Sequence, residues 1–255
     1  MNRLGLDEYA HLDSPIHRWE IRAKLVGLIA LIFAFSVGQV LLLIPVMVGL
    51  TVGLFLLSRL PLSYLIKRLK APGYFLLLMV IVLPFASGST VLWTLGPLSI
   101  KQEGLTNLLL IVSRFICIIT VSLILFGSAP FLETIKAMRA LGLPPILADM
   151  MLLTYRYLFE ISEQLTTMRT AIRLRGFRVM TLSYCNLSVL AALIGSLLIR
   201  SYEQSERVYQ AMILRGYGQG IIATDTFHTN PFDMFLTTLT LCFAAGFVGL
   251  NLWLG

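Results

Sequence analysis

Charge is what this chain has least of. Only 13% of its 255 residues are Asp, Glu, Lys or Arg, while 57% are hydrophobic. Soluble domains carry about 25% charged residues, so a water-bathed globule is excluded and a membrane composition is indicated. Residues 25–58, 71–100 and 234–255 hold no charge at all. About 20 apolar residues cross roughly 30 Å of hydrocarbon, so each run is long enough to span. Residues 104–132 form a fourth such region, interrupted only by Arg114, with Glu103 at its margin. Cysteine is scarce too. Cys117, Cys185 and Cys242 stand alone, without metal or redox spacing, and read as reduced packing residues. No G-x-x-x-x-G-K-[ST] occurs, which speaks against ATP binding through a P-loop. His11, His17 and His228 are scattered, so no metal site is expected in this chain. The start lacks the plan of a signal peptide, because Asp7, Glu8, Asp13 and Glu20 precede the first apolar run.

The few charges set an expected topology. Residues 25–58 are too long for one untilted span and slightly short for two; Gly38-Gln39 and Pro45 suggest a tight membrane hairpin. After it Arg59, Lys67, Arg68 and Lys70 form a basic loop with no acidic residue, cytoplasmic by the positive-inside rule. Arg18, Arg22 and Lys24 put the N-terminus on the same side. The segment around 86–103, with Lys101, Glu103 and an interfacial Trp93, is expected outside. Phe232 to Leu254 makes a fifth span that ends outside.

Residues 130–230 do not read as spans. Eight arginines and no lysine occur from Arg156 to Arg215, mixed with Glu160, Glu163, Glu203 and Glu206. Apolar residues recur among them at helical spacing: Leu158, Ile161, Leu165, Met168 and Ile172, then Leu198, Tyr202, Val208 and Met212. That is the pattern of amphipathic helices, expected over about 144–175 and 183–215, each roughly 50 Å long if continuous. A long helix that starts against the membrane region and projects into the cytoplasm explains the apolar first half of each. The expected fold is therefore all-α: a polytopic membrane protein with about five transmembrane helices, two long cytoplasmic helices and one short one. Its regions are 1–129 (about four spans), 130–230 (cytoplasmic) and 231–255 (the last span).

Both long stretches end alike. Ala171-Ile-Arg-Leu-Arg175-Gly176-Phe177 and Ala211-Met-Ile-Leu-Arg215-Gly216-Tyr217 read A-x-x-x-R-G-aromatic, 40 residues apart, with Glu163-Gln164 and Glu203-Gln204 at the same offset upstream. Glycine past the last turn supplies the left-handed residue that ends many helices. Arginine there meets the negative pole of the helix dipole. Alanine four residues earlier shares its face and leaves room for another surface, while the guanidinium fork can clamp a carboxylate. One copy reads equally as a capped helix end; two matched copies read as paired handles.

The paired ends, after four charge-poor segments and before a last span, resemble the transmembrane coupling (T) component of energy-coupling factor transporters, which are ABC-type importers of vitamins and transition metals. The stretches Leu6-Asp7-Glu8-Tyr9-Ala10-His11, Ser14-Pro15-Ile16-His17-Arg18 and Arg22-Ala23-Lys24-Leu25 are most similar to the cobalt-transport CbiQ type, although Ile21 stands where members often have proline. The resemblance implies coupling helices that dock on two cytoplasmic ATP-binding-cassette ATPases, one taking Ala171, Arg175 and Gly176 and the other Ala211, Arg215 and Gly216. It implies a separate substrate-binding membrane subunit, CbiM-like, with a small CbiN-like partner. No catalytic residue and no cofactor is expected here, and the location is the inner (plasma) membrane. Cobalt or nickel is the implied cargo; a T component shared among vitamin carriers is the alternative.

Arg114 lies about nine residues into its span, roughly 13 Å deep, so it is either functional or an internal anchor paired with Glu103, Asp149 or Glu160. Asp149 and Arg156, seven apart on one helix face, could serve that network. The apolar stripe on the long helices is either core or a platform for the substrate-binding subunit. Residues 59–70 are expected to touch anionic lipid, and nucleic acid is not an expected partner. A membrane-embedded enzyme would need clustered acid, base or metal groups, and Arg114 with Asp149 is too sparse. A channel or secondary transporter would carry its repeat inside the membrane, whereas the visible repeat is in the cytoplasmic helices.

Overall fold

The apolar run 25–58 breaks into two helices where Gly38 and Pro45 predict it. A computed structural model, which describes residues 14–86, 91–95, 98–176, 184–218 and 231–254, places this hairpin after a short helix α1 (Pro15–Arg18). Helix α2 (Ile21–Val37) ends at Gly38, a 3-10 turn comes next at Leu41–Leu43, and α3 (Ile44–Ser58) carries Pro45 in its first turn. Proline suits that position because its missing N–H would have no helical partner anyway.

The basic cluster differs from the expected loop. Arg59 caps α3 in the left-handed conformation, φ 52°, and Lys67, Arg68 and Lys70 lie on helix α4 (Leu62–Ala86). No glycine interrupts residues 62–71, and the carbonyl of Pro61 takes the first helical bond, from the Tyr64 N–H at 2.9 Å. The segment expected as an outside loop also differs. It forms the strands β1 (Val91–Leu95) and β2 (Leu98–Lys101), antiparallel with Leu95 opposite Leu98. Val91, Trp93, Thr94 and Ile100 are residue types that favour strands, and Gly96-Pro97 lies between the two in sequence. Apart from this ribbon the described elements are helical, so the all-α class holds.

Helix α5 (Gln102–Gly127) comes next, then the short α6 (Phe131–Ala140), the long α7 (Pro145–Leu174) and α8 (Tyr184–Leu214), and α9 (Pro231–Leu254). Two compact units result: Met1–Leu141 with Phe227–Gly255, and Gly142–Thr226. In the first, α2 is the centre. Lys24, Leu28, Leu31 and Phe35 are buried at helical spacing, and α2 packs on α5, α6 and α9. Helix α5 answers with Cys117, Val121 and Ile124. Gly27 lets α9 close in, because a Cβ there would lie 2.6 Å from Thr240 Oγ1. Segments Leu41–Ser58, Thr106–Gly127 and Pro231–Trp253 are each long and apolar enough to cross a membrane. Among the described residues these are three of the roughly five expected transmembrane helices; α2, at 17 residues, and the charge-free part of α4 are the other two apolar segments. The sequence features at Leu6–His11, Phe177 and His228, and the side chains of Trp93, Glu103 and Cys185, lie outside the described residues.

Candidate functional site

The second unit presents the two Arg-Gly ends. Helix α7 closes on Arg175, whose N–H bonds the carbonyls of Ala171 at 3.3 Å and Ile172 at 3.1 Å. Gly176 takes φ +88° and bonds the carbonyl of Arg173 at 3.1 Å. Helix α8 repeats this. Arg215 bonds Ala211 at 3.2 Å and Met212 at 3.1 Å, and Gly216, at φ +79°, bonds Ile213 at 2.9 Å. Tyr217 adds a bond to the Met212 carbonyl at 3.0 Å, completing a Schellman cap. The motif is thus a cap in its local geometry, and glycine is there for its positive φ. A cap by itself requires neither arginine nor an apolar neighbour. Yet Ala171, Arg175, Gly176, Ala211, Arg215 and Gly216 are all exposed, and the matched Leu174 and Leu214 are 84% and 88% exposed.

Long-range contacts then set where the ends point. Gln204 Nε2 donates to Glu160 Oε1 at 2.8 Å, and the Tyr217 hydroxyl donates to Asp149 Oδ2 at 2.8 Å. Partners that fall along α7 as they rise along α8 mean that the helices run antiparallel. The Arg215 end therefore lies beside the start of α7. Arg175 lies 26 residues beyond Asp149, about 39 Å along the helix. A 40-residue repeat folded antiparallel makes a local twofold relation, centred near Ser162 on α7 and Tyr202 on α8. Between the helices runs a groove of about 520 Å³ lined by Leu153, Tyr157, Ile161, Ser201, Gln204 and Val208. The Glu-Gln pairs now separate in role: Gln204 bridges the helices, while Glu203 faces Arg207 at 4.0 Å on the exposed surface.

Arg114 belongs to a different construction. In the first unit its guanidinium donates to the carbonyl of Gly38, at the C-terminal end of α2. Asn251 of α9 works on the same turn, accepting from the Gln39 N–H at 2.8 Å and donating to the Val37 carbonyl at 3.0 Å. The Phe247 ring packs on Phe35 at 5.5 Å and lies 3.1 Å from where a Gly38 Cβ would stand. The last carbonyls of a helix have no partner within it, and among apolar surroundings other side chains must supply one. Arginine and asparagine from two neighbouring helices satisfy them here. Two of the carboxylates expected as partners for Arg114 have other contacts, Asp149 with Tyr217 and Glu160 with Gln204. Arg156 is exposed, with its guanidinium 5.9 Å from the centroid of the Tyr157 ring.

In sequence Lys24 reads only as part of the topology signal and of the Arg22-Ala23-Lys24-Leu25 stretch, not as a buried side chain. It is fully buried, and its Nζ donates to the Ile16 carbonyl at 3.3 Å, the Ser128 carbonyl at 3.1 Å and Ser128 Oγ at 3.0 Å. Three donors meet three acceptors. Beside Arg114, the lone Asn251 in a charge-free run is a signal that sequence reasoning passed over for the layer around Gly38; nothing in sequence marks the carbonyl itself. Among the described residues no group of three or more His, Cys, Asp or Glu is placed to hold a metal ion, and Cys117 and Cys242 are free thiols.

Apolar helices of membrane-crossing length, with a separate pair of capped helices carrying matched, exposed arginines, define a helical membrane protein. The chain belongs to the CbiQ family, described as cobalt transport protein, whose model matches residues 13–226. It is similar to the energy-coupling factor transporter transmembrane protein EcfT of Limosilactobacillus fermentum, 28% identical over 229 residues and 85% of both chains. The EcfT proteins of Listeria innocua (26% identical, 86% of this chain and 87% of the relative) and Bacillus selenitireducens (28%, 94% of each) match comparably. The resemblance to the transmembrane component of energy-coupling factor transporters therefore holds, and the chain is a membrane component of a transporter.

Proposed function

We propose that this chain is the coupling subunit of an ATP-driven importer, relaying movement of two cytoplasmic ATPases to a substrate-binding membrane subunit. The observation that carries the reading is one cap geometry displayed twice, with exposed Arg175 and Arg215, at opposite ends of an antiparallel pair. Two like handles about 39 Å apart around a local twofold suit a partner that is itself a dimer. One ATPase takes Ala171, Arg175 and Gly176, and the other Ala211, Arg215 and Gly216. Each arginine reaches an acidic or carbonyl-lined socket, with Leu174 or Leu214 as the apolar contact beside it. When ATP draws the ATPases together, the two ends are displaced relative to each other, and rigid helices carry that displacement along the unit.

The family description favours cobalt, or the chemically close nickel, as cargo, held by a CbiM-like subunit with its small CbiN-like partner. The EcfT names of the relatives support the alternative, a component shared by several vitamin carriers. In either case the chain lies in the inner membrane with its N-terminus and the α7–α8 pair cytoplasmic and its C-terminus outside. The test is copurification and uptake in the reconstituted assembly. Two ATPases and a small membrane protein accompany the wild type; Arg175→Ala and Arg215→Ala each weaken that association, and the double change abolishes uptake. Wild-type uptake in the double variant would sink the assignment.

A further inference from the structure

The two Arg-Gly ends share a cap but differ in the next side chain. After Gly216 comes Tyr217, after Gly176 comes Phe177, and only tyrosine has a hydroxyl to donate. The Tyr217 N–H is fixed on the Met212 carbonyl at 3.0 Å, which ties its backbone to the last turn of α8. From there the side chain reaches α7 and donates to Asp149 Oδ2 at 2.8 Å. Its carboxylate acceptor strengthens the bond, and its exposure to solvent moderates it. Asp149 stands in the second turn of α7, beside Ala148, which is fully buried. One end of this bond is therefore anchored in a cap and the other in a helix start whose one buried residue is Ala148, with Ile146, Leu147 and Met150 exposed around it.

Resting on the coupling role proposed above, we infer that the Tyr217–Asp149 hydrogen bond is a positioning strut that makes the two ends mechanically unequal. Force arriving at Arg215 passes through Tyr217 into the first turns of α7, which the segment 141–144 joins to α6. Force arriving at Arg175 enters α7 at its far end, and the phenylalanine that follows Gly176 in sequence has no hydroxyl for the same bond. One ATPase thus drives the start of α7 directly and the other drives it from the far end. Tyr217 touches neither nucleotide nor cargo; it acts through the helix it holds.

The experiment uses the full assembly of this chain, its ATPases and its substrate-binding subunit. Tyr217→Phe removes one oxygen and copies the residue of the first end. It should leave ATPase copurification and ATP hydrolysis within about twofold of wild type, while uptake per ATP hydrolysed falls roughly fivefold, the scale of one lost solvent-exposed hydrogen bond. Asp149→Asn keeps an acceptor and should retain most of the coupling. Asp149→Leu should match Tyr217→Phe, and the double variant should be no worse than either single one. Unchanged uptake per ATP in Tyr217→Phe overturns the strut, as does an additive double variant. Loss of ATPase copurification in Tyr217→Phe would make Tyr217 a docking residue and equally overturn it. If Arg175→Ala with Arg215→Ala transports normally, the coupling reading fails first, and the two failures are told apart.

Discussion

The two units of the molecule use their polar residues in opposite ways. In the first, Lys24, Arg114 and Asn251 turn inward, and what they meet is mostly backbone: the carbonyls of Ile16, Ser128, Gly38 and Val37 and the N–H of Gln39. In the second, arginines at 156, 175 and 215 face outward, and the local structure of the last two is complete without their guanidinium groups. Buried polar groups must be satisfied within the fold, so the first set holds a shape. Exposed charges on a finished helix end contribute little to the chain that carries them, so the second set is not what holds its own unit together. The difference separates side chains that hold the fold from charges that the fold leaves exposed, which the proposed coupling role assigns to a partner.

The largest effect that tests this contrast is the double change Arg175→Ala with Arg215→Ala. It should weaken association with the ATPases by roughly a hundredfold or more, because removing one side of a desolvated charge pair strands the other. The melting temperature of the isolated chain in detergent should stay within about 2 °C of wild type, as for surface substitutions generally. A large fall in melting temperature would mean that the second unit's arginines are structural after all. Lys24→Ala should do the reverse. It removes three hydrogen bonds from a buried site and should cost about 2–3 kcal/mol of stability, read as a lower melting temperature. ATPase association, measured on the protein that remains folded, should be retained. Lys24→Ala with wild-type stability would break the comparison from the other side.

Gly27→Ala probes the packing of the first unit alone. A Cβ at Gly27 would stand 2.6 Å from Thr240 Oγ1, which itself donates to the Thr237 carbonyl at 2.9 Å. The added methyl should force α2 from α9 at a cost of about 1–3 kcal/mol. Thr240→Ala in the same chain removes the clashing oxygen and should restore most of the loss in a detergent melting experiment. A double variant as unstable as Gly27→Ala would show that some other contact sets the spacing.

Much of this is legible in sequence, for reasons that differ by element. Helices α7 and α8 run over 145–174 and 184–214 against expected spans of 144–175 and 183–215, because periodicity and Arg-Gly stops mark both ends. Their antiparallel pairing is not legible. It depends on contacts such as Tyr217 with Asp149, 68 positions apart, which no local pattern encodes. Arg114 stands out as a charge in an apolar run, but its acceptor is a main-chain carbonyl, and sequence shows side chains only. Among residues 59–70 charge argues for a loop, and the absence of a breaker between Leu62 and Ala71 argues for the helix that forms. The ribbon at 91–101 is hidden in a run whose lack of charge resembles membrane.

The smallest expected effect is also the most selective. Gly176 sits at φ +88° with nothing within 4 Å of where a Cβ would be, so alanine there meets only its own backbone cost. That cost is about 1–2 kcal/mol for a residue with a Cβ in the left-handed region, and less for asparagine, which visits it more readily. The cap can escape the cost by unwinding its last turn, which swings Arg175 away from its direction in the capped helix. Association with the ATPases should therefore fall in the order Gly, Asn, Ala, Val at position 176, by a few-fold at the first step and more at the last. The polar contacts of Lys24 and of Arg114 lie in the other unit and should not register the change. If all four variants bind alike, the aim of the arginine does not depend on the cap, and the handle is its charge alone. If they rank as expected while stability stays flat, the positive φ of one glycine is what directs the guanidinium at its partner.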